Sequence, residues 1–337
     1  MNQNVKSLIE SFRFGEVISH ENVSFIPLYT DLPARLQYLT LAEAIEQKLL
    51  VVSEISQSGS VPQLSVANQS ALPVLILDGE ELIGAKQNRI ANTTMLIAAK
   101  SKVVIPVSCT EAGRWSYQSK QQDFKHSGHV MPQSMRSRKE EGVMASLANY
   151  SKFRAKQSEI WNDISELRAK FKVASPTGAM NSIYESQKTT LEDFVEALPA
   201  ADGQRGMISF LNGKIAGIEY LSLPDAYRLI HSRLIRSLAI DAIGAAKQDS
   251  TVPDFAELAM GFLNDLLQAS ESSYVPVGLG TDFRYAGKQL LGSALVYEDE
   301  VIHQKAFRHN RRPSDPNPLE EGVRNPFPFN NLRRLIH

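Results

Sequence analysis

Residues 61–107 read VPQLSVANQSALPVLILDGEELIGAKQNRIANTTMLIAAKSKVVIPV and decide the fold of the first half of the chain. Residues 64–68 alternate between apolar and polar, while residues 74–77 and 103–107 are short apolar runs. Such runs, separated by turn residues, are typical of strands in a sandwich or barrel. Asp78-Gly79 follows the middle run and favours a two-residue hairpin turn, because both positions tolerate positive φ. The pattern predicts a β-rich N-terminal half.

The second half of the chain mixes helical and hairpin signals. Asn212-Gly213 lies between two apolar runs and is typical of a type I′ hairpin turn. Ser222 precedes an apolar stripe of helical period and is predicted to cap that helix. Near the N terminus, Thr40 and Glu43 have the spacing of a capping box. The chain is therefore predicted to be α+β, with a β-rich, sandwich- or barrel-like N-terminal half and a mixed helix/hairpin C-terminal half.

Composition and spacing divide the chain into three predicted parts. Residues 1–135 are expected to form a β-rich domain, and residues 136–310 an α+β domain. Residues 311–337 contain five prolines and no apolar stripe, so we expect an extended tail. Residues 116–141 form a long polar stretch with little periodicity, which is interpreted as a solvated loop.

Charge and cysteine content narrow the class of protein. The formal net charge of the 337 residues is -1, which argues against a nucleic-acid-binding protein that neutralises many phosphates. No stretch approaches the ~20 apolar residues that span a bilayer, so no membrane partner is predicted. One cysteine cannot form an intramolecular disulfide, and no signal peptide is recognised. These features predict a cytoplasmic protein.

Two polar segments directly follow buried strands, where a scaffold often presents functional side chains. The first is DGEELIGAKQNR at residues 78–89, and the second is CTEAGRW at residues 109–115. Side chains alternate between faces of an extended strand. Lys86 and Asn88 are therefore predicted to share one face, and Gln87 and Arg89 the other.

These segments carry a resemblance to a known family. LDGEELIGAKQNRIANTT (residues 77–94) and VIPVSCTEAGRW (residues 104–115) resemble the signature of the ADP-ribosylglycohydrolase- and rhodanese-phosphatase-associated domain family. The later strings SPTGAM, GQRGMISFLNGKIAGIEYL and LIRSLAIDAIGAA resemble the same family, so the similarity spans most of the chain. It implies an association with enzymes of ADP-ribose removal and names no reaction. Carried over by position, the motif residues are Glu80, Gly84, Gln87, Asn88, Arg89, Glu111, Arg114 and Trp115.

The motif residue types suit a ligand with a phosphate and a ring. Arginine side chains bind phosphate in a bidentate fashion, and a tryptophan offers a face for stacking. Glu80 and Glu111 are the predicted catalytic pair, either as acid and base or as acceptors for ribose hydroxyls. The predicted ligand-binding residues are Lys86, Gln87, Asn88, Arg89, Arg114 and Trp115.

Four further residues are second-rank site candidates: Cys109, Asp282, Arg284 and His303. Cys109 would be a nucleophile only beside an activating group, and a packing role is favoured. Together with His126 and His129 it lacks the four-ligand spacing of a structural zinc site, so no metal site is predicted. For the other three, solvated or structural roles are favoured.

Three functional classes fit these residues. The favoured class is a binding or processing protein for an ADP-ribose-like or other phosphate-bearing small molecule. The first alternative is a non-catalytic interaction module that contacts a partner protein or a second copy through the tail. The second is a hydrolase of an unrelated small molecule that uses Glu80 and Glu111. The residues identify no cofactor and leave open whether the chain is an enzyme. A deep pocket between the motifs would favour a small-molecule site, and a flat apolar surface the interaction module.

Overall fold

The computed structural model describes residues 1–117, 123–246 and 253–309. Within these residues the chain forms eight helices and 18 strands, which confirms the predicted α+β class and the strand-rich N-terminal half. No helix in these ranges is long and apolar enough to span a membrane. The predicted tail at residues 311–337 lies outside the described residues.

The elements are numbered in chain order. The helices are α1 (Gln3–Glu10), α2 (Leu41–Glu46), α3 (Gln133–Tyr150), α4 (Gln157–Phe171), α5 (Asn181–Ser186), α6 (Lys188–Ala197), α7 (Pro224–Gly244) and α8 (Phe255–Leu267). The strands before α3 are β1 (Arg13–Phe14), β2 (Ile18–His20), β3 (Val23–Tyr29), β4 (Leu39–Thr40), β5 (Leu50–Ser53), β6 (Gln63–Asn68), β7 (Val74–Ile76), β8 (Glu80–Gly84), β9 (Arg89–Ala91), β10 (Met95–Ile97), β11 (Ser101–Cys109) and β12 (Phe124–Val130). Those after α6 are β13 (Gly206–Leu211), β14 (Lys214–Leu221), β15 (Ser270–Tyr274), β16 (Thr281–Ala286), β17 (Leu290–Tyr297) and β18 (Glu300–Arg308).

A nine-stranded antiparallel sheet combines the two ends of the described chain. Its order is β1-β3-β13-β14-β18-β17-β16-β15, and β2 also pairs with β3. The register of β3 on β13 places Ile26 opposite Ile208. Hydrogen bonds therefore cross the predicted boundary at residue 135, while the division into two domains stays a prediction.

Both faces of this sheet are apolar, because neighbouring side chains of a strand point in opposite directions. Phe25 packs into the core that contains Leu234 and Leu238 of α7. The next residue, Ile26, packs into the core that contains Leu8 of α1 and Phe262 of α8. The sheet is thus covered by helices on both sides.

The two motif segments lie in a second sheet of six strands, with the order β12-β8-β9-β11-β6-β5. Strand β7, just before Asp78, belongs instead to a three-stranded sheet in which it pairs with β10 and β4. Because β8 pairs with β9 and β12, Asp78-Gly79 connects two sheets and closes no hairpin. The predicted two-residue hairpin is wrong, since β7 and β8 each pair with other strands and not with one another.

Of the other three local signals, two are confirmed. The Thr40 side chain and the Glu43 side chain each bond the other's backbone N–H, so the capping box at α2 is present. Asn212 and Gly213 have φ values of 49° and 70° between paired strands β13 and β14, as a type I′ turn requires. The predicted cap at Ser222 is wrong, because its hydroxyl donates to Tyr38 Oη, and Leu223 precedes α7 without a side-chain cap.

The polar stretch at residues 116–141 is largely ordered structure, which corrects the predicted solvated loop. Strand β12 and the first half of α3 lie within it, and residues 118–122 lie outside the described ranges. The helical pattern was hidden because part of the buried face of α3 is charged. Arg136, Lys139 and Glu140 are all buried.

These three side chains belong to a buried ion network between the two halves of the chain. Asp78 is its central acid: Lys305 Nζ lies 2.5 Å and Arg136 Nε 3.3 Å from its carboxylate, and Lys139 Nζ also donates to it. Glu140 accepts from Lys305 at 2.7 Å. Burial alone would raise the pKa of Asp78, but the positive charges of Lys139, Lys305 and Arg136 hold it well below its usual range.

The second-rank candidates complete this network. Arg284 contacts Glu140 and Asp282, each at 2.5 Å, and it is fully buried. His303 Nε2 lies 2.8 Å from Glu219, which also pairs with Arg136. Asp282, Arg284 and His303 are therefore buried structural residues, and the alternative of solvated side chains is wrong.

The network predicts a large cost for removing one ion. In a Lys305→Met variant, Asp78 and Glu140 lose a shared cation in the interior, so we expect the free energy of unfolding to fall by about 3–5 kcal/mol. Urea unfolding of the wild type and the variant measures this loss in the free energy of unfolding. The matched control is Lys102→Met on the exposed side of β11, with an expected change within about 0.5 kcal/mol. Equal small effects in both variants would contradict a stabilising role for the network.

Candidate functional site

The two motif segments adjoin at the end of the six-stranded sheet. Arg89 in β9 is paired with Cys109 in β11, and the Thr110 N–H donates to the carbonyl oxygen of Asn88 at 3.0 Å. Residues 85–88 form a turn between β8 and β9, and residues 110–116 leave β11 beside that turn. The sheet pairing therefore brings both predicted groups of site residues together.

Arg114 fastens the two segments to each other. Its Nε donates to Glu111 Oε2 at 2.9 Å, and its Nη1 donates to the Ala85 carbonyl at 2.7 Å. Its Nη2 donates to Asn88 Oδ1 at 3.1 Å. Because all three guanidinium nitrogens have protein partners, Arg114 has a positioning role in this structure. Gln87 adds a bond from its side-chain amide to the Glu111 carbonyl.

A cleft of about 1030 Å³ opens beside this pair of segments. One wall contains Gly84, Asn88 and Glu111, and the other is formed by residues between Phe171 and Gln187. The second wall is tied to the first, because the Gly113 N–H donates to the Thr177 carbonyl at 2.8 Å. A Cβ atom at position 113 would lie 3.0 Å from the Thr177 Cα, so glycine permits this close approach.

Glu81 lies beneath the motif wall of the cleft. It shares a face of β8 with Ile83, which lines the cleft, and its Oε1 accepts from the Thr110 hydroxyl at 2.8 Å. Its Oε2 is buried and has no partner at hydrogen-bond geometry among the described residues, while the Ser127 hydroxyl lies close enough to act on the pKa of Glu81. Burial raises the pKa of Glu81 to about 7, opposed by the Thr110 and Ser127 hydroxyls and assisted by the negative charge of Glu111.

Glu111 is the ionised neighbour of Glu81. Burial acts to raise the pKa of Glu111, but hydrogen bonds from Arg114 and Thr177 outweigh it and lower that pKa. Glu111 lines the cleft and Glu81 is buried behind it, and the pKa values of these two carboxyl groups are moved in opposite directions. Such pairs supply the proton donor and the anionic group of many hydrolytic sites.

Glu80 points to the opposite face of β8. Its Oε1 accepts from Arg233 at 3.2 Å and from His126 Nε2 at 3.1 Å, and its Oε2 accepts from the Leu77 N–H at 2.8 Å. The Gly128 N–H donates to His126 Nδ1, which places the proton of a neutral ring on Nε2. Burial opposes ionisation, but these donors outweigh it and lower the pKa of Glu80. The structure places Glu81, rather than Glu80, next to Glu111.

A second group of motif residues lies on the other side of the 85–88 turn. Trp115 covers the guanidinium group of Arg89, with 5.4 Å from the Arg89 Cζ to the ring centroid, and Lys86 Nζ lies 5.6 Å from the same ring. Lys86 and Arg89 thus contact one ring although they were predicted to lie on opposite faces. The alternation expected of a strand fails here because residues 85–88 form a turn. Gln87 accepts from Arg89 at 3.0 Å, so these two lie together as predicted.

Cys109 also lies near Arg89 and is fully buried. Burial raises the pKa of its thiol to about 11, and the positive charge of Arg89 only partly opposes this. The group is a neutral thiol at pH 7, which supports the packing role over the nucleophile. Within the described ranges, no three His, Cys, Asp or Glu side chains are grouped so that they could hold a metal ion.

Two acidic residues at these places were missed in the sequence. The motif predicts Glu80 and not its neighbour Glu81. The two residues differ only in the face of β8 to which their side chains point. Glu54 lies beside Lys86 and Trp115, as the close approach of all three side chains to Gly59 shows. No local motif marks Glu54, because it follows β5 and reaches the site through the fold.

The comparisons with known proteins agree with the resemblance carried by the two motifs. The model of the ARG and Rhodanese-Phosphatase-superfamily-associated Protein domain matches residues 11–307. No curated protein and no solved structure matches the chain. The suspected family is therefore confirmed.

The raised pKa of Glu81 predicts a pH-dependent stability. The pKa of Glu81 is about 7 in the folded state and about 4.3 in the unfolded state. Its contribution to the free energy of unfolding is therefore full below the unfolded pKa, and it is lost as the pH rises through the folded pKa. The free energy of unfolding of the wild type, relative to Glu81→Gln, should fall from about pH 5 to about pH 7 and then level off. Urea titrations at several pH values measure it.

Glu80→Gln is the matched control for this titration. The pKa of Glu80 is lowered in the folded state, so its contribution is complete above the unfolded pKa and should stay constant over the same pH range. A constant difference for both variants would show that Glu81 titrates as an ordinary carboxyl group.

Proposed function

Since the chain belongs to the ARG and Rhodanese-Phosphatase-superfamily-associated Protein domain family, we propose that it binds an ADP-ribose-like, phosphate-bearing small molecule in the cleft between the two motif segments. The observation that carries the proposal is the cleft itself, which has Asn88 and Glu111 of the two motifs in one wall. The single, buried cysteine fits a reducing compartment, and we place this activity in the cytoplasm.

The size and lining of the cleft support this ligand class. A volume of about 1030 Å³ matches the upper end of small-molecule sites, at roughly 300–1,000 Å³. Lys125 and Lys172 line it, and their ammonium groups suit phosphate oxygens. Asn181 and Ser182 in the opposite wall offer donors and acceptors for hydroxyl groups. The presence of this cleft beside the motifs is what favours a small-molecule site over an interaction module.

A second candidate function is hydrolysis in the same cleft, favoured by the carboxyl pair. In this scheme Glu81, with a pKa of about 7 and buried beneath the motif wall, supplies a proton that a water molecule carries to the leaving group. The Glu111 carboxylate orients the water whose oxygen forms the new bond, and it accepts the proton of that water. The roles resemble those predicted for Glu80 and Glu111, with Glu81 in the place of Glu80.

Ligand binding is tested with ADP-ribose, NAD and ribose 5-phosphate in a thermal-shift series. A ligand at about 100 times its Kd should stabilise the protein by about 2.7 kcal/mol. The double variant Lys125→Glu/Lys172→Glu should weaken this binding at least about tenfold, because it reverses two charges that line the cleft. Both lysines are exposed, so folding should be preserved.

The control for this series is Lys152→Glu, an exposed lysine outside the cleft. It should leave the ligand-induced shift unchanged. If none of the three compounds stabilises the wild type, the binding proposal fails and the interaction module becomes the better reading.

Hydrolysis is tested separately with an ADP-ribosylated peptide. Removing the proton donor in Glu81→Gln should lower kcat about 10²- to 10⁴-fold and leave KM little changed. Release of ADP-ribose, followed by chromatography, is the measurement. Equal turnover by the wild type and Glu81→Gln would exclude the proposed acid.

A further inference from the structure

Half of the Arg89 guanidinium group is bound and the other half is free. Nη1 donates to Gln87 Oε1 at 3.0 Å and to the Asn88 carbonyl at 3.3 Å, which fixes the orientation of the group. Nε and Nη2 are buried and have no partner in the described part of the chain, and the side chain is 0% exposed. These two nitrogens form the side-on edge that binds two oxygens of a carboxylate or phosphate.

An unpaired carboxylate accompanies the unpaired arginine edge. Both Oε atoms of Glu54 are buried without a hydrogen-bond partner among the described residues. Its charge acts on Arg89, yet no ion pair within 4.0 Å joins the two described side chains. An unpaired buried charge is costly, so this arrangement calls for a polar group between them that accepts from Arg89 and donates to Glu54.

Residues 54–61 contact Lys86 and Trp115, and together with Arg89 and Trp115 they define what we call the covered compartment. The segment is held by Lys86 Nζ, which donates to the Gln57 carbonyl at 2.6 Å. Gly59 has a φ of 74°, and a Cβ there would lie 3.1 Å from Glu54 Oε2 and 3.3 Å from Trp115. The glycine therefore lets the segment close tightly over Glu54.

The charges of the covered compartment select its occupant. Lys86 and Arg89 are positive and Glu54 is negative, while the nearby Arg114 and Glu111 pair with each other. Among the described side chains one positive charge is left over, so a monoanion makes this set neutral. That monoanion must also carry a proton for Glu54, because a carboxylate only accepts hydrogen bonds.

We propose that the covered compartment is a binding site for a protonated phosphate group, either inorganic phosphate or a phosphate monoester in its monoanionic form. Two phosphate oxygens accept from Arg89 Nε and Nη2, and a P–OH group donates to Glu54. The Trp115 ring covers the face of the guanidinium group and leaves its edge to the ligand. Gly84, Asn88 and Glu111 line the cleft on the other side of the turn, so this site is separate from the cleft and does not depend on the proposed function.

The proposal gives a specific selectivity. Sulfate has the same shape as phosphate but carries no proton near neutral pH, so its oxygen would face the Glu54 carboxylate without a hydrogen bond. Two acceptors placed against each other in a buried site weaken binding, and this discriminates between the two anions. A site made of basic residues alone would bind the doubly charged sulfate at least as well.

The experiment is calorimetric titration of the full chain with inorganic phosphate and with sulfate at pH 6.5. We expect phosphate to bind at least about tenfold more tightly than sulfate in the wild type. In Glu54→Gln the amide can donate to either anion, so the preference for phosphate should shrink about tenfold. Arg89→Gln should lose both anions. Glu46→Gln, an exposed glutamate in the same half of the chain, is the control and should keep the selectivity.

A folding defect in Arg89→Gln would not hide the result. Glu54→Gln replaces an unpaired buried carboxylate with a neutral group of the same shape, so it should fold even where Arg89→Gln does not. No measurable phosphate binding by the wild type would overturn the proposal. Equal affinity for the two anions, or a selectivity that survives Glu54→Gln, would overturn it as well. To distinguish the two sources of phosphate, ribose 5-phosphate is titrated in parallel. Binding that is tighter than that of inorganic phosphate and is lost in Arg89→Gln, but kept in Lys125→Glu/Lys172→Glu, identifies a monoester site.

Discussion

The Asp78 carboxylate, bound by Lys139, Lys305 and Arg136 in the interior, is the interaction on which the rest of the structure depends. Its partners come from α3 and β18, so one side chain connects the first half of the chain to the second. Taking these ions out of water is expensive, and only a complete set of partners compensates for it. The network meets this condition with four acids and four bases: Asp78, Glu140, Glu219 and Asp282 against Arg136, Lys139, Arg284 and Lys305. A register shift of β18 would move Lys305 away from both of its carboxylates.

The same anchor sets the geometry of the candidate site. Asp78 lies between β7 and β8, which belong to different sheets, and the Gly79 N–H and carbonyl bond to Ala91 and Met131. With Asp78 fixed, β8 leaves the network in one direction, and the alternation of its side chains separates Glu80 from Glu81. Glu80 then meets Arg233 of α7, and Glu81 faces Thr110 beneath the cleft. Neighbouring glutamates therefore acquire opposite pKa shifts because of their faces of the strand.

Two signals confined to a few residues were readable from the sequence, and the features that depend on distant partners were not. The Asn212-Gly213 turn and the capping box at Thr40 are set by their own backbone geometry, and both are present. Asp78-Gly79 carries an equally good turn signal, but its carboxylate binds cations from elsewhere in the chain. Helix α3 escaped notice for the same reason, because its charged side chains are buried among partners that sequence spacing does not show. The ends of the predicted strands indicate where the motif residues cluster. They do not indicate that a turn divides these residues between its two sides.

The motif residues differ in how many of their hydrogen-bonding atoms already have protein partners. Arg114 uses all three of its nitrogens on protein oxygens, and both Asn88 Oδ1 and the Gln87 amide are occupied in the same way. These bonds hold the two motif segments together, while the side-chain amide of Asn88 keeps N–H donors that no described bond uses. Arg89 and Glu81 are different, because each is buried with unused polar atoms. A buried, unpaired charge lowers the stability of the fold. Such a charge is understandable where a ligand or a proton completes the site. The unsaturated atoms, more than the residue types, are therefore the basis on which the two proposed sites are assigned.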